Sequence, residues 1–273
     1  MKFKNFKKQN NKIVFNVKNV DVSILNSIRR VILSDIFNVA FEYKPYEFEN
    51  RKVNIIENTC SLHNEIILQR LSMIPLKFDE DEIYNFSDEK YKFKLFKKNN
   101  SNKMLNVTTE DIEIYDKDNN KYSEKFIRKI FPKNKLSGDF ILITKLKPNI
   151  FDSNKGDIIN IEMIPSKNTA SNYAGFGYVS CCVYFNVVDE SLAKNVLDEK
   201  VKEAKKNNLS KKEIEDLISD FNLLDKYRYF KKNEYDEPNY FEYQIESESR
   251  VSPEFLFFKA NLIIKEKLNT LIK

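Results

Sequence analysis

The chain of 273 residues has few of the residues that form catalytic and metal sites, with one histidine, three cysteines and four glycines. A single histidine excludes zinc sites built from several histidines, including the His-Glu-x-x-His helix. Three cysteines, two of them adjacent, cannot form a disulfide framework and fit a reducing compartment. We therefore expect an intracellular protein that has no structural metal and no cofactor.

Long apolar runs are missing as well. No stretch approaches the ~20 apolar residues of a membrane-spanning helix. Residues 1–8 lack the apolar core of a signal peptide. We therefore expect no membrane association, and the sequence leaves open whether the protein acts in the nucleus or in the cytoplasm.

Motifs that carry catalytic chemistry are also absent. Gly175-Phe176-Gly177 is half of a dinucleotide-binding fingerprint, but Ser180 occupies the third glycine position. The sequence has no Walker-type loop, no nucleophile elbow and no aspartate cluster for two-metal phosphoryl transfer. His63 has no recognisable partners for acid–base work. We predict that the chain has no catalytic residues of its own.

Charge is mixed, with 46 basic and 41 acidic residues and a formal net charge of +5. Basic and aromatic residues are interleaved in runs at residues 2–8, 90–98 and 128–135. Such runs can bind single-stranded nucleic acid through base stacking and phosphate contacts, or they can form the solvated face of a strand. A single-stranded nucleic-acid-binding protein is therefore one interpretation that the sequence leaves open.

Apolar periodicity predicts two helices in the first part of the chain. Asp21 can cap a helix whose apolar residues recur at helical spacing as far as Ile36. Ser61 can cap a second helix, which Pro75 ends because proline cannot continue it. The most strand-like runs outside the middle of the chain are at 12–20, 38–43, 53–59, 178–188 and 240–246.

The rest of the chain divides into a middle segment and a helical end. Residues 77–177 contain short strand-like runs separated by polar turns, which predicts a mostly β segment. Two charged helices are predicted at 190–206 and 211–219, and both are expected on the surface. Ser252-Pro253 is a strong start for a final helix over 254–271.

Arginine is rare, and three of the seven arginines fall in the first two predicted helices, at Arg29, Arg30 and Arg70. Adjacent residues of a helix point about 100° apart. One member of the Arg29-Arg30 pair can therefore serve its own domain while the other reaches a neighbour. A guanidinium group suits a bidentate contact with a carboxylate or with backbone carbonyls of a partner.

Two segments resemble the motifs of one protein family. Residues 21–36 are similar to the signature helix of the alpha-like subunits of DNA-directed RNA polymerase, and residues 57–76 are similar to the family's second motif. This family includes bacterial alpha, its archaeal counterpart and the third-largest subunit of eukaryotic RNA polymerase II. Weaker similarities lie at 107–112, at 175–178 and in the tail from residue 241, whereas 190–230 is unmatched.

The resemblance implies an α+β fold in which both chain ends form one dimerisation domain. The expected domains are 1–76 together with 178–273, which includes a charged helical excursion at 190–230, and a β-rich insertion domain at 77–177. The implied function is a non-catalytic assembly platform that pairs with a second, smaller alpha-like subunit as a heterodimer. It would dock the largest and second-largest polymerase subunits and meet DNA only through the complex. A homodimer like that of bacterial alpha stays open.

The resemblance also implies where the contacts lie. We expect the first and last helices to carry the dimer interface and the arginines to contact a large subunit. The expected dimer-interface residues are Ile24, Leu25, Ile28, Val31, Ile32, Phe258, Leu262, Leu268 and Leu271, and the expected large-subunit contacts are Arg29, Arg30 and Arg70. Some relatives carry cysteine-rich metal or iron–sulfur sites in the insertion, and three cysteines are too few for one here.

Overall fold

The computed structural model describes residues 1–44, 52–149 and 156–272. The chain divides into two compact units. The first, here the terminal unit, comprises Met1–Val31, Ser180–Glu246 and Asn261–Lys273, and the second, the central unit, comprises Ile32–Val179 and Ser247–Ala260. The domain boundaries expected from the sequence differ from these units and stay a prediction.

Strands and helices alternate along the chain, so the fold is of the mixed α and β class, as expected. The strands are β1 (Lys2–Gln9), β2 (Lys12–Lys18), β3 (Phe37–Ala40), β4 (Val53–Asn58), β5 (Lys92–Lys98), β6 (Leu105–Thr108), β7 (Ile112–Tyr115), β8 (Leu142–Leu146), β9 (Ile158–Met163), β10 (Ser166–Thr169), β11 (Val179–Asn186) and β12 (Tyr240–Ser247). The helices are α1 (Val22–Ser34), α2 (Asn64–Ser72), α3 (Glu80–Tyr84), α4 (Glu124–Ile130), α5 (Glu190–Lys206), α6 (Lys211–Leu223) and α7 (Pro253–Ile272).

The terminal unit is built on a sheet in the order β1-β2-β12-β11. β2 pairs antiparallel with both β1 and β12, which joins the start of the chain to a segment more than 200 residues later. Residues directly opposite each other on β2 and β12 point to the same side of the sheet. Buried apolar residues of the two strands are opposite each other, so they form one shared face. Its buried members are Ile13, Phe15 and Val17 on β2 and Phe241, Tyr243 and Ile245 on β12.

The central unit contains a sheet in the order β4-β9-β5-β7 and two antiparallel pairs, β3 with β10 and β6 with β8. β9 lies between β4 and β5, and its residues alternate between buried and half-buried positions. The buried side chains Phe93, Leu95 and Ile161 belong to this sheet. α2 lies against β8 and β4, so the second sequence motif is part of the same packing unit as the β-rich middle.

Two helix predictions need correction. The second charged helix extends from Lys211 to Leu223 instead of ending at residue 219, because Phe221 is buried and continues its apolar face. α4 lies where the sequence indicated only strands and a basic-aromatic run. Ser123 caps it by accepting a hydrogen bond from the Phe126 amide, and Ile127 and Ile130 provide a short apolar side.

Candidate subunit interface

The start of α1 is defined by an aspartate cap. The Asp21 carboxylate accepts a hydrogen bond from the Ser23 amide at 2.7 Å, and the Asp21 carbonyl accepts from the Ile24 amide at 3.2 Å. Hydrogen bonds from Ser23 lower the pKa of the Asp21 carboxyl. The cap satisfies amides that would otherwise lack partners in the first turn of the helix, so this end of α1 is fixed within the chain.

One side of α1 is buried by the chain itself. Leu25 and Ile28 have no exposed surface, and Val31 and Ile32 are also buried. Such side chains cannot touch a second protein unless the packing around them changes. Their assignment to the dimer interface stays a prediction, and it would require such a rearrangement.

Other apolar positions of α1 and α7 remain exposed in the single chain. Ile24, expected at the interface, is 49% exposed, and Val22 and Leu33, which the sequence argument missed, are also exposed on this helix. On α7, Phe258, Leu268 and Leu271 are exposed, and Leu262 is half-buried. Only Pro253, Leu256 and Ala260 of α7 are buried. The second half of this 20-residue helix is therefore its most solvent-exposed part.

The adjacent arginines of α1 lie in different environments. Arg29 is half-buried, and its Nε and Nη2 donate to Asn26 Oδ1 at 3.2 and 2.9 Å. Its positive charge also acts on Cys182 and Tyr243 of the terminal unit. Arg30 is exposed. The helix thus directs Arg29 to its own unit and presents Arg30 at the surface.

Arg70 is exposed on α2 and makes a contact within the central unit. Its Nη2 donates to the Leu142 carbonyl of β8 at 3.0 Å. The end of α2 is closed by the Met73 amide, which donates to the carbonyls of Gln69 and Arg70, both at 3.2 Å. Arg70 therefore ties the last turn of α2 to β8, and its planar group keeps further donors for other contacts.

Asn58 and Thr59, which open the second motif, organise the turn before α2. Asn58 Nδ2 donates to the Leu62 carbonyl at 2.9 Å and to Asn64 Oδ1 at 2.7 Å. The Asn58 side-chain oxygen accepts from the Cys60 amide at 3.0 Å. Thr59 exchanges hydrogen bonds with Ile158 at the end of β9. These two residues serve the architecture of the central unit.

The segment Gly175-Phe176-Gly177 packs closely on the end of α2. A Cβ atom added at Gly175 would lie 2.7 Å from the Ser72 carbonyl oxygen, so only glycine fits there. Ser72 is buried, and its hydroxyl lies 2.6 Å from the Tyr173 hydroxyl. Phe176 is fully buried. These glycines permit a close approach of two backbone segments, which accounts for them without a nucleotide.

The cysteines and the histidine have ordinary structural surroundings. Cys182 is buried, and burial raises the pKa of its thiol to about 11, so it is a poor nucleophile near neutral pH. His63 lies exposed at the N-cap of α2, and its side chain makes no capping hydrogen bond. In residues 1–44, 52–149 and 156–272, no group of three or more His, Cys, Asp or Glu could hold a metal ion. Across those same ranges, no helix has the length and apolarity to cross a membrane.

Comparison with known proteins identifies the family. The family model of the RNA polymerase Rpb3/Rpb11 dimerisation domain matches residues 14–268. The chain belongs to this family. The resemblance stated from residues 21–36 and 57–76 is thereby confirmed, and the single-stranded nucleic-acid-binding alternative is not favoured.

Several relatives of the chain are polymerase subunits by name. The chain is 24% identical over 303 aligned residues to the DNA-directed RNA polymerases I and III subunit RPAC1 of Saccharomyces cerevisiae, covering 93% of this chain and 81% of that protein. It is 38% identical over 76 residues to subunit rpac1 of Dictyostelium discoideum, which is 28% of this chain but only 19% of that protein. To the polymerase subunit Rpo3 of Methanobrevibacter smithii it is 26% identical over 176 residues, 63% of this chain and 53% of that protein.

Proposed function

We propose that this chain is a non-catalytic subunit of a multisubunit DNA-directed RNA polymerase and acts as an assembly platform. The observation that carries the proposal is the family match over residues 14–268, which includes α1, the whole central unit, most of the terminal unit and most of α7. Polymerase subunits act inside the cell, and we propose the same location for this chain. Nucleotidyl transfer would take place on the large subunits, and DNA would be met only through the complex.

The proposed pairing partner is a second, smaller alpha-like subunit. The exposed apolar side chains Ile24, Leu268 and Leu271 support this pairing because exposed apolar side chains grouped on a helix mark interaction surfaces. Burial of such side chains contributes roughly 25 cal/mol per Å² before the costs of association. The buried residues of α1 would support this surface from beneath.

The proposed docking groups for the largest and second-largest subunits are the arginines. Arg30 and Arg70 are exposed, and Arg29, which is bound to Asn26, would act by holding α1 in place. A guanidinium group can bind a carboxylate through two parallel hydrogen bonds, whereas a lysine ammonium group cannot reproduce this geometry. Replacing one of these arginines by lysine keeps the positive charge but removes the bidentate hydrogen bonds, so the loss of binding measures the bidentate contribution.

The proposal is tested by affinity purification of the tagged full chain and mass spectrometry of the proteins that co-elute. We expect a second alpha-like chain and both large polymerase subunits. Absence of both large subunits would overturn the proposal. Ile24→Asp should remove the alpha-like partner, and Leu223→Asp, an exposed leucine on the charged α6, is the matched control that should retain it.

Arg30→Lys tests the docking step separately from pairing. We expect capture of the large subunits to weaken by about 1.5–3 kcal/mol, the range of hydrogen bonds to charged groups, while the alpha-like pair stays intact on size-exclusion chromatography. Arg228→Lys is the control because Arg228 is exposed and paired with Asp225. If Arg30→Lys breaks the pair itself or changes neither step, the assignment of Arg30 to docking is wrong.

A further inference from the structure

The first strand of the terminal unit has an unusual surface. All eight residues of β1 are exposed. The first 20 residues of the chain contain six lysines and no acidic residue. β1 stands at the end of the sheet order and pairs only with β2, so its outer edge has no strand partner among the described residues. An unpaired strand edge is a template for pairing with another chain, whereas lysines and β-bulges on that edge oppose pairing with strands that do not match them.

A β-bulge in β1 changes which side chains lie on which face of the strand. The pairing register shifts between Lys4, opposite Asn16, and Lys7, opposite Val14, and Asn5 has a positive φ of 51° within the shift. Because residues directly opposite each other share a face, Lys7 lies on the same face as Lys4. A strand without the bulge would alternate strictly and place these two lysines on opposite faces.

The other face of β1 is aromatic. Phe3 and Phe6 lie 5.7 and 5.8 Å from the buried Phe15 ring, measured between ring centroids. They are nevertheless 53% and 57% exposed. The bulge therefore lets both phenylalanines cover the edge of the apolar face while Lys2, Lys4 and Lys7 lie together on the reverse. The fourth lysine of the strand, Lys8, is opposite the buried Ile13 and shares the aromatic face.

On the lysine face of the sheet a carboxylate lies two strands away from β1, because Glu242 is opposite Asn16, which is itself opposite Lys4. Lys2, Lys4 and Lys7 make no ion pair with a carboxylate in the described part of the chain. Lys2 lies directly opposite Lys18, an arrangement of like charges that destabilises a strand pair. Lys18 itself is placed over the Tyr240 ring, with 4.2 Å between its Nζ and the ring centroid. The face is thus poised to accept negative charge from outside the chain.

We propose that an extended acidic segment of a partner protein adds to the outer edge of β1 as a further strand. Its carboxylates would face Lys2, Lys4 and Lys7, and apolar side chains at the alternate positions would cover Phe3 and Phe6. Backbone hydrogen bonds at the strand edge supply affinity, and the alternation of side chains supplies specificity. The inference goes beyond the proposed function and does not depend on it.

Two other occupants fit this strand less well. Single-stranded nucleic acid needs aromatic platforms and cations along one surface, whereas here the phenylalanines and the lysines Lys2, Lys4 and Lys7 lie on opposite faces. A second copy of this chain would place one basic strand against another, and like charges facing each other oppose pairing. An acidic peptide with period-2 alternation matches both faces at once.

The test uses the full chain and a fluorescein-labelled peptide of alternating glutamate and valine, about as long as β1, followed by fluorescence anisotropy. We expect saturable binding that weakens as salt is raised. Combined Lys2→Glu, Lys4→Glu and Lys7→Glu should weaken it about tenfold or more, because attraction becomes repulsion. Combined Lys205→Glu, Lys206→Glu and Lys211→Glu, exposed on α5 and α6, is the control of equal charge change and should bind normally.

Two further arms make the test decisive. A peptide N-methylated at alternate residues cannot complete the ladder and should not bind, and oligo(dT) should not compete. If the reversed variant loses its circular dichroism signal, Lys2→Gln, Lys4→Gln and Lys7→Gln replaces it with the same expected direction. Absence of binding, equal binding of the methylated peptide, equal binding of the charge variants or effective competition by oligo(dT) would each overturn the inference. None of these outcomes affects the co-purification test of the polymerase assignment.

Discussion

The two sequence motifs of this chain use their side chains in opposite ways. In the first, α1 buries Leu25 and Ile28 but leaves Ile24 exposed. In the second, residues 57–76, the polar residues Asn58 and Ser72 form hydrogen bonds inside the central unit. The first motif thus leaves an apolar side chain exposed, whereas the polar side chains of the second form hydrogen bonds within its own turn and helix.

The similarity of a residue to a family motif can therefore have more than one physical origin. A residue can match because a partner contacts it or because the fold needs it, and only burial and hydrogen bonding separate the two cases. Arg70 serves the fold by donating to the Leu142 carbonyl, and it is still exposed. Substitutions that affect folding should therefore concentrate in the second motif and on the buried side of α1.

The largest effect is expected from a matched pair of substitutions on α1. Ile28→Asp places an unpaired charge at a position with no exposed surface and should reduce the free energy of unfolding by about 4 kcal/mol or more. Ile24→Asp, at an exposed position, should change it by less than about 1 kcal/mol. Urea denaturation of the two variants measures both values. Equal losses would show that α1 does not have one buried and one exposed side.

A smaller loss is expected where two backbone segments approach closely. Gly175→Ala would place a methyl group 2.7 Å from the Ser72 carbonyl oxygen and should cost about 1–3 kcal/mol through overpacking. Gly177→Ala is the control, because its nearest contact is a milder 3.3 Å from the Ala174 carbonyl oxygen. Thermal unfolding followed by circular dichroism compares them. A larger loss at Gly177 than at Gly175 would contradict this account of the glycine pair.

The turn before α2 should lose about 1–2 kcal/mol when its central side chain is removed. Asn58→Ala deletes the hydrogen bonds to the Leu62 carbonyl and to the Cys60 amide. The Cys60 amide then loses its partner, and the Leu62 carbonyl keeps a contact with Cys60 Sγ at 3.9 Å. Asn54→Ala, an exposed asparagine on the same strand, should be nearly neutral. If the two variants unfold at the same denaturant concentration, the turn does not depend on Asn58.

The smallest effect concerns pH. Burial raises the pKa of the Cys182 thiol from 9.0 to about 11, so the unfolded chain releases this proton at lower pH than the folded chain does. Stability is therefore lost as pH rises above about 9 toward 11. Cys182→Ala should show a shallower decline than the natural chain when the free energy of unfolding is measured over this range. Parallel curves for the two proteins would argue against a shifted thiol.

The sequence predicted most helices and strands within a few residues because their apolar periods are regular. The first charged helix is expected at 190–206 and is found at Glu190–Lys206, and the strand expected at 240–246 is found at Tyr240–Ser247. β1 was treated only as a basic-aromatic run. The bulge at Asn5 interrupts the two-residue alternation of side chains that marks a strand. Lysine is common throughout the chain, so the remaining lysines of β1 do not stand out as a strand pattern.

Local patterns and residue identity were enough to predict the family, the mixed α and β class and the Asp21 cap of α1. They did not predict the start of α2, where His63 and not Ser61 is the N-cap residue. Tertiary structure alone decided which apolar residues are available to a partner. Leu25 and Ile24 are neighbours of similar hydrophobicity, yet one is buried and the other is half exposed. A helical period shows that apolar residues recur, but which of them the chain covers depends on segments far away in sequence.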